Sequence, residues 1–536
     1  MTAAAAPPHP ADPAPPLGRG PAALVGVLGV GVAVGVGHLV GGLVSPASSP
    51  FNAVADAAVR LAPPWLVELG KQLGPTTDKL ALQLVVAVGL VVVAVVAGLV
   101  SRRGPGPGMA VIAVLGLVGL TAVATAPAFA PLDLLAPVLA ATAGLVVFSA
   151  LHALARRAAR PDAGPAPDAG GVTRRTVLVG SSAAFGVGAL TAGIGALGAG
   201  VVGQVLAAGS DDSRAEVTRR LAAARITPAP PIPAGADFAA LGTPTFLTAN
   251  PDFYRVDTAL RIPTVNAADW SVRVHGMVDR ELTLTFDDLF RRPLVERTIT
   301  MTCVSNEVGG RYISTANFVG VELRPILLEA GVRPGADQLL STGADGGWTA
   351  GTPTAVLLEP DRGALLGVGM NGEALPPEHG FPVRMVVPGL YGFVSATKWL
   401  TDLELTTFAQ AQAYWRERGW GTLAPIKTQS RIDYPKPFAT VPAGRVPVAG
   451  IAWSQPTGIS RVEIRADGGA WSEAELSTEV SGDTWRMWKI DLDLGPGSHA
   501  VQVRATDRDG VVQPEERAEP IPDGATGWHS TLFTVA

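Results

Sequence analysis

Residues Thr298–Val332 read TITMTCVSNEVGGRYISTANFVGVELRPILLEAGV. The last part, LRPILLEAG from Leu323, sets helix formers at apolar spacing and closes on Gly331, a residue suited to the left-handed turn of a helix C-cap. Around it the alternating runs WSVRVHG from Trp270 and LTLTF from Leu282 predict strands, and DDLFRR from Asp287 predicts another helical piece. The section from Phe238 to about Phe408 is therefore expected to be mixed α+β. The same stretch holds Cys303, the single cysteine of 536 residues. One cysteine excludes an intramolecular disulfide, a Cys-ligated iron–sulfur cluster and a CxxCH haem attachment, so neither haem nor iron–sulfur is predicted.

Toward the C-terminus the pattern shortens. After Pro435 the runs VPVAGIAW, RVEIRA, MWKIDL and HAVQVRATD are separated by Gly, Pro or Asp turns at intervals typical of a β-sandwich. Toward the N-terminus the chain becomes lipid-like. The whole sequence is 48% hydrophobic and 16% charged, and five stretches reach or approach the 20 or so apolar residues a spanning helix needs. They are Pro21–Leu43, Leu80–Val100, Met109–Ala126, Leu134–Ala155 and Thr176–Gly209. With the N-terminus inside, the inner segments hold Arg19, Arg102, Arg103, Arg156, Arg157, Arg160, Arg174 and Arg175, against Arg60, Lys71 and Lys79 outside. Short loops rich in Arg and Lys stay in the cytoplasm, so five spans place the C-terminal half on the extracytoplasmic side of a multi-pass cell-membrane protein. TRRTVLVGSS from Thr173 reads either as a twin-arginine export motif or as an ordinary positive flank. His38 and His152 lie toward opposite membrane faces in this topology, too far apart to share a haem.

The expected organisation is an N-terminal tail (1–20), a membrane domain that is an all-α transmembrane bundle (21–209), a linker (210–237), an α+β domain (238–434) and a C-terminal β-sandwich (435–536). Pro- and Ala-rich PDAGPAPDAGG and TPAPPIPAG support linkers. The net charge of −5, with no basic block, argues against nucleic acid as a partner.

Three ordered motifs carry a family resemblance. Thr298–Val332 resembles the molybdenum-binding core of the sulfite oxidase family. MNGEALPPEHGFPVRMVVPGLYGFVSATKWLTDLEL, from Met370, resembles its second cofactor-binding segment, and AWS, RATD and GATGWH after Ala452 are similar to its immunoglobulin-like dimerisation domain. The resemblance implies a sulfite-oxidase-like molybdopterin-binding domain followed by an immunoglobulin-like sandwich, and molybdenum cofactor with Cys303 as the metal's protein ligand beside the two dithiolene sulfurs of the pterin. It assigns Arg384 and Lys398 to the pterin phosphate, unless they are surface charges, and gives His379 a donor role toward the pterin or its terminal phosphate. Gly389 and Gly392 would allow close backbone approach, or simply make turns; Asn306 would bond the cofactor or close a turn. FYRVDTA, from Phe253, brings Tyr254, Arg255 and Asp257 to the cofactor side, with Arg255 directed at metal and pterin.

The departures concern substrate. Glu307 and Val308 stand where sulfite oxidases carry adjacent arginines, and Phe318 and Trp348 align with a tryptophan and a tyrosine near the metal. A dianion such as sulfite wants several cations, so an S-oxide or N-oxide, small or within a protein, competes with sulfite as substrate. Such a chain needs a separate electron carrier, a cytochrome or quinone-linked protein, and its sandwich leaves a homodimer open. The competing reading is a membrane-tethered binding or adhesion module on the same fold without metal.

Overall fold

The computed structural model describes residues 16–44, 48–63, 66, 77–126, 129–159, 209–256, 259, 262–345 and 348–536. The chain divides into two compact units, Met1–Leu206 and Ala207–Ala536. Four described helices in the first unit are long and apolar enough to cross a membrane: Arg19–Val44, Ala81–Val100, Gly106–Ala124 and Pro131–Arg157. They correspond to the first four expected spans. The expected fifth span, the paired Arg174 and Arg175 and the linker after Pro161 lie outside the described residues.

Small residues let these helices touch backbone to backbone. A Cβ on Gly26 would fall 2.0 Å from the Ala94 carbonyl oxygen, and one on Gly98 would fall 2.0 Å from that of Ala22. Small residues at helix–helix contacts permit such close approach, as they do between helices able to cross a membrane. An amphipathic helix, Pro50–Leu61, accompanies the four. His38 Nδ1 bonds the Ser49 hydroxyl at 2.7 Å, and His152 Nε2 bonds the Ser101 carbonyl at 2.6 Å.

In the second unit, residues 209–223 form a helix where the sequence suggested the start of a linker. Val217 and Leu221, one turn apart, are buried on its inner face. Arg214 Nε donates to the Leu375 carbonyl at 3.0 Å, and the Ala374 N–H donates to Thr218 at 3.0 Å. The expected linker 210–237 is thus corrected: its first half is a docked helix. Its end is tied too, because the Thr478 N–H donates to the Gly235 carbonyl at 2.8 Å.

The strands, in chain order, are β1 (Ile226–Thr227), β2 (Ser271–Gly276), β3 (Leu282–Thr285), β4 (Leu294–Thr302), β5 (Ile313–Glu322), β6 (Gln338–Gly343), β7 (Thr349–Pro353), β8 (Leu365–Met370), β9 (Glu373–Ala374), β10 (Arg384–Val386) and β11 (Leu400–Thr406). They build two sheets, ordered β1-β4-β5-β8-β10, with β9 on β8, and β3-β2-β11-β6-β7. The long pair β4 and β5 is antiparallel, with Thr302 opposite Ile313. Helix Leu323–Ala330 follows and ends at Gly331 with φ +73°, as its C-cap glycine predicted.

The C-terminal region adds β12 (Gln429–Tyr434), β13 (Thr440–Val441), β14 (Gly444–Trp453), β15 (Ile459–Ala466), β16 (Ser472–Glu473), β17 (Glu475–Leu476), β18 (Arg486–Leu494), β19 (Gly497–Asp507) and β20 (His529–Val535). They form sheets β12-β14-β18-β17 and β13-β20-β19-β15-β16. Val446, Val448, Trp488, Val501, Val503 and Phe533 fill a core of their own, from alternate positions along the strands.

Candidate active site

Cys303 follows the last residue of β4 and opens the loop that returns as β5. The loop is locked by its own backbone. The Cys303 N–H donates to the Tyr312 carbonyl (3.0 Å), the Asn306 N–H to the Cys303 carbonyl (3.0 Å) and the Gly310 N–H to that of Glu307 (2.8 Å). Asn306 Oδ1 accepts from the Tyr312 N–H at 2.8 Å, which makes its side chain part of the turn. Gly309 has φ +79°, and a Cβ on Gly310 would meet Asn306 Oδ1 at 2.6 Å, so neither position admits a larger residue without strain. The Cys303 side chain ends up buried, 8% exposed.

Two other segments converge on it. Tyr254 is fixed by its N–H to Ser314 Oγ (3.1 Å) and lies against Tyr312, with ring centroids 6.4 Å apart. Phe253 stacks on Tyr254 and meets Phe318 and His379 edge-on at 6.1 and 5.4 Å. From the second motif, the Arg384 guanidinium carbon stands 5.7 Å from the Phe318 ring centroid, and its Nη1 donates to the His379 carbonyl at 3.3 Å. His379 Nε2 donates to the Asn250 carbonyl at 3.1 Å, and Lys398 Nζ to that of Glu378 at 3.1 Å.

The electrostatics follow from burial. Desolvation, and then the charge of Arg384, push His379 down to about 3, so it is neutral. Arg255 and Lys398 act on it in the same direction, which places all three cations around it. Arg384, 4% exposed, is itself pulled down to about 10 by desolvation. Burial and the nearby Cys303 hold the Tyr254 phenol well above its ordinary range, with Arg384 opposing, and burial does the same to Tyr391. Both hydroxyls keep their protons at neutral pH.

Several polar atoms here lack a protein partner. Among the described residues, Arg384 Nε, Asn306 Nδ2 and Thr302 Oγ1 are buried with no hydrogen bond. No carboxylate among the described residues pairs with Arg384. A native fold rarely buries such groups unsatisfied, and an unpaired buried cation is costlier still. Gly392 completes the cradle: a Cβ there would meet nothing closer than Ala396 Cβ (3.6 Å), Tyr254 Oη (3.7 Å) and the Thr302 carbonyl (3.9 Å). A thiol, an uncompensated cation, an unused amide donor and open backbone fit an anionic, acceptor-rich cofactor carrying a thiophilic metal.

The structure thus brings Cys303, Tyr254, Arg255, Asn306, His379, Arg384, Gly392 and Lys398 together. Gly389 makes a left-handed turn (φ +82°), and a Cβ there would meet Arg362 and Pro456. Phe318, aligned with an aromatic near the metal, is 0% exposed and packs against the Arg384 guanidinium. Trp348 is half-buried at the head of β7, outside the ring contacts that join Phe253, Tyr254, Phe318 and His379. Asp257 lies outside the described residues. The sequence reading missed Tyr312 and Tyr391. With Tyr254 they make three of the chain's five tyrosines, so the site keeps phenols despite the loss at the aligned position.

Comparison with known proteins accords with this geometry. Residues 259–415 match the family described as oxidoreductase molybdopterin binding domain, and residues 422–530 match the Mo-co oxidoreductase dimerisation domain. Sulfite oxidase of Gallus gallus is 30% identical over 337 residues, covering 53% of this chain and 72% of that protein. Mitochondrial sulfite oxidase of Macaca fascicularis is 30% identical over 350 residues, covering 55% and 63%. The chain spans about six-tenths of the length of the mammalian sulfite oxidases it matches. The NADH nitrate reductase of Solanum lycopersicum is 27% identical over 48% of this chain and 35% of that one. Among solved structures, the sulfane dehydrogenase SoxCD of Paracoccus pantotrophus aligns at 25% identity and TM-score 0.45, covering 51% of this chain and 80% of that chain.

Buried Cys303 and buried Arg384, both close enough to act on the Tyr254 phenol, thus lie within the part of the chain that matches a molybdopterin-binding domain. The chain belongs to the sulfite oxidase family of molybdopterin oxidoreductases.

Proposed function

We propose that this protein is a membrane-anchored oxygen-atom-transfer enzyme that reduces an S-oxide or N-oxide, with sulfite-type oxidation as the competing direction. The observation that carries it is the convergence of buried Cys303 with Arg384, whose Nε finds no protein acceptor. Cys303 would ligate molybdenum, Arg384 and Lys398 would hold the pterin phosphate, and Arg255, Asn306 and His379 would bond the pterin. The bound cofactor supplies two-electron redox chemistry and the site for oxygen transfer.

The chain's own residues account for the rest. Neutral His379 spends its Nε2 proton on the Asn250 carbonyl, which leaves Nδ1 as an acceptor in place of the expected donor, and it adds no charge to an already cationic pocket. Tyr254 holds its proton on Oη and would serve as a neutral hydrogen-bond donor in the pocket, while oxide reduction takes its two electrons from the redox partner and its two protons from solvent. Glu307 is exposed at the loop, so the second arginine that would help gather a dianion has no counterpart there. Hence the preference for a neutral oxide over sulfite. The orphaned donors weigh against a metal-free binding module, which has no use for them.

Four apolar helices, with the expected fifth, would hold the enzyme in the lipid bilayer and set its catalytic unit on the extracytoplasmic side. A cytochrome or quinone-linked protein would deliver the electrons. The C-terminal sandwich, read as immunoglobulin-like, would support a homodimer. The direct test is turnover by the purified full chain. Oxidation of a reduced viologen by S-oxides or N-oxides should exceed sulfite-dependent dye reduction, and both should vanish in Cys303→Ser. Faster sulfite oxidation would reverse the assignment.

A further inference from the structure

The residues that hold the Cys303 loop come from both sides of the catalytic unit. On the N-terminal side lies Thr300, on β4. Its N–H donates to the Asp483 carbonyl at 2.9 Å, its hydroxyl accepts from the Trp485 N–H at 2.8 Å, and its carbonyl accepts from Gln455 Nε2 at 3.2 Å. Beyond the short pairing with β1, this edge of β4 is therefore covered by the segment before β18.

On the other side of the cysteine, Arg431 of β12 donates from Nη1 to the Gly310 carbonyl at 2.7 Å. Its Nε is held by Asp433 Oδ1 at 2.9 Å, two residues along the same strand face. His529, at the start of β20, accepts the Ile432 N–H on Nδ1 at 2.9 Å, so its remaining ring edge is free to face the loop. That edge lies where a side chain at position 309 would stand: a Cβ on Gly309 would come within 2.3 Å of His529 Cδ2 and 2.4 Å of Nε2. Gly310 in turn backs Asn306, whose side chain closes the turn on Tyr312 and whose N–H binds the Cys303 carbonyl.

We propose that Arg431 and His529, from the C-terminal β-domain, are positioning residues for the Cys303 thiolate, and that this domain is part of the catalytic machinery as well as a partner surface. The proposal rests on Cys303 being the metal ligand. A thiolate's orbital direction toward a metal depends on the backbone that presents it, and the partners that fix such backbone tune the metal without touching it. Two anchors flank the cysteine, one at Thr300 and one at Gly309–Gly310, so loosening the second should let the thiol swing.

The test uses the full chain in two forms. In protein made without pterin, Arg431→Gln and His529→Ala should each raise the rate of Cys303 alkylation by iodoacetamide, by about tenfold for Arg431→Gln, which loses a charge-assisted hydrogen bond, and by less for His529→Ala, which removes the neutral ring packed on Gly309. In the loaded chain they should shift the g-values of the Mo(V) electron paramagnetic resonance signal. Arg431→Lys, which can still reach the Gly310 carbonyl, should keep wild-type values of both. Gly309→Ala should behave like His529→Ala, and the double variant should be no worse than Gly309→Ala alone. Unchanged alkylation and g-values in folded Arg431→Gln and His529→Ala would overturn the proposal, as would failure of Arg431→Lys to rescue. Should Arg431→Gln not fold, the His529 and Gly309 variants decide alone. Absence of molybdenum from wild type would instead strike the ligand assignment, leaving the alkylation result to judge the loop.

Discussion

Replacing Arg384 by Met separates a cation that serves the fold from one that serves a ligand. Holding Arg384 at about 10, against an ordinary 12.5, corresponds to about 3 kcal/mol of desolvation cost in the cofactor-free protein. Against this stand one bond to the His379 carbonyl and a guanidinium-over-ring contact with Phe318, together about 2 to 3 kcal/mol. The terms nearly cancel, and Met fills much of the same volume. Arg384→Met should therefore change the stability of the cofactor-free chain by no more than about 1 kcal/mol. Cofactor retention should respond quite differently, because a buried guanidinium on a phosphate contributes at least ~2 kcal/mol, or roughly thirtyfold in affinity. Urea unfolding of full chain made without pterin measures the first, and pterin content after gel filtration measures the second. Loss of 3 to 5 kcal/mol in the cofactor-free protein is what breaking an internal buried ion pair would give, and it would refute the reasoning.

Two further outcomes follow from the same geometry. Gly392→Ala should leave the fold as stable or up to ~1 kcal/mol more so, since its Cβ finds only ordinary contacts, yet it should lower pterin content by intruding on the cradle; equal content would show that the cofactor lies elsewhere. His529 sits at about 4, below its ordinary 6.5, through burial and then the charges of Arg431 and Arg517, so the unfolded chain takes up its proton first as pH falls. That contribution is complete above pH 6.5 and is lost on the way down to pH 4, by up to ~3 kcal/mol, and His529→Asn should flatten this part of the pH–stability curve.

The site was legible where chemistry is contiguous. TCVSN and HGFPVR each carry several site residues within a few positions, and the structure joins Cys303 and Asn306 to His379 and Arg384. Less was legible where contacts are long. Arg431 reaches Gly310 across 121 positions, and no local pattern signals such a bond. The helix at 209–223 was hidden by composition: only Val217 and Leu221 mark its buried face, beside Pro-rich sequence that reads as linker. For Phe318, the sequence gives its position along β5 but not which neighbours cover it; Arg384 and Phe253 do. Likewise the phenols come from Tyr254, Tyr312 and Tyr391, on three separate segments, which replace a lost tyrosine only in three dimensions.

The central claim is that Cys303 binds molybdenum, and X-ray absorption at the molybdenum K-edge of the loaded full chain tests it most directly. Wild type should contain stoichiometric molybdenum with three sulfur neighbours, one from Cys303 and two from the dithiolene, and Cys303→Ser should retain only two. Molybdenum-free wild type from a host competent in cofactor synthesis, or a sulfur count that Cys303→Ser leaves at three, would contradict the account.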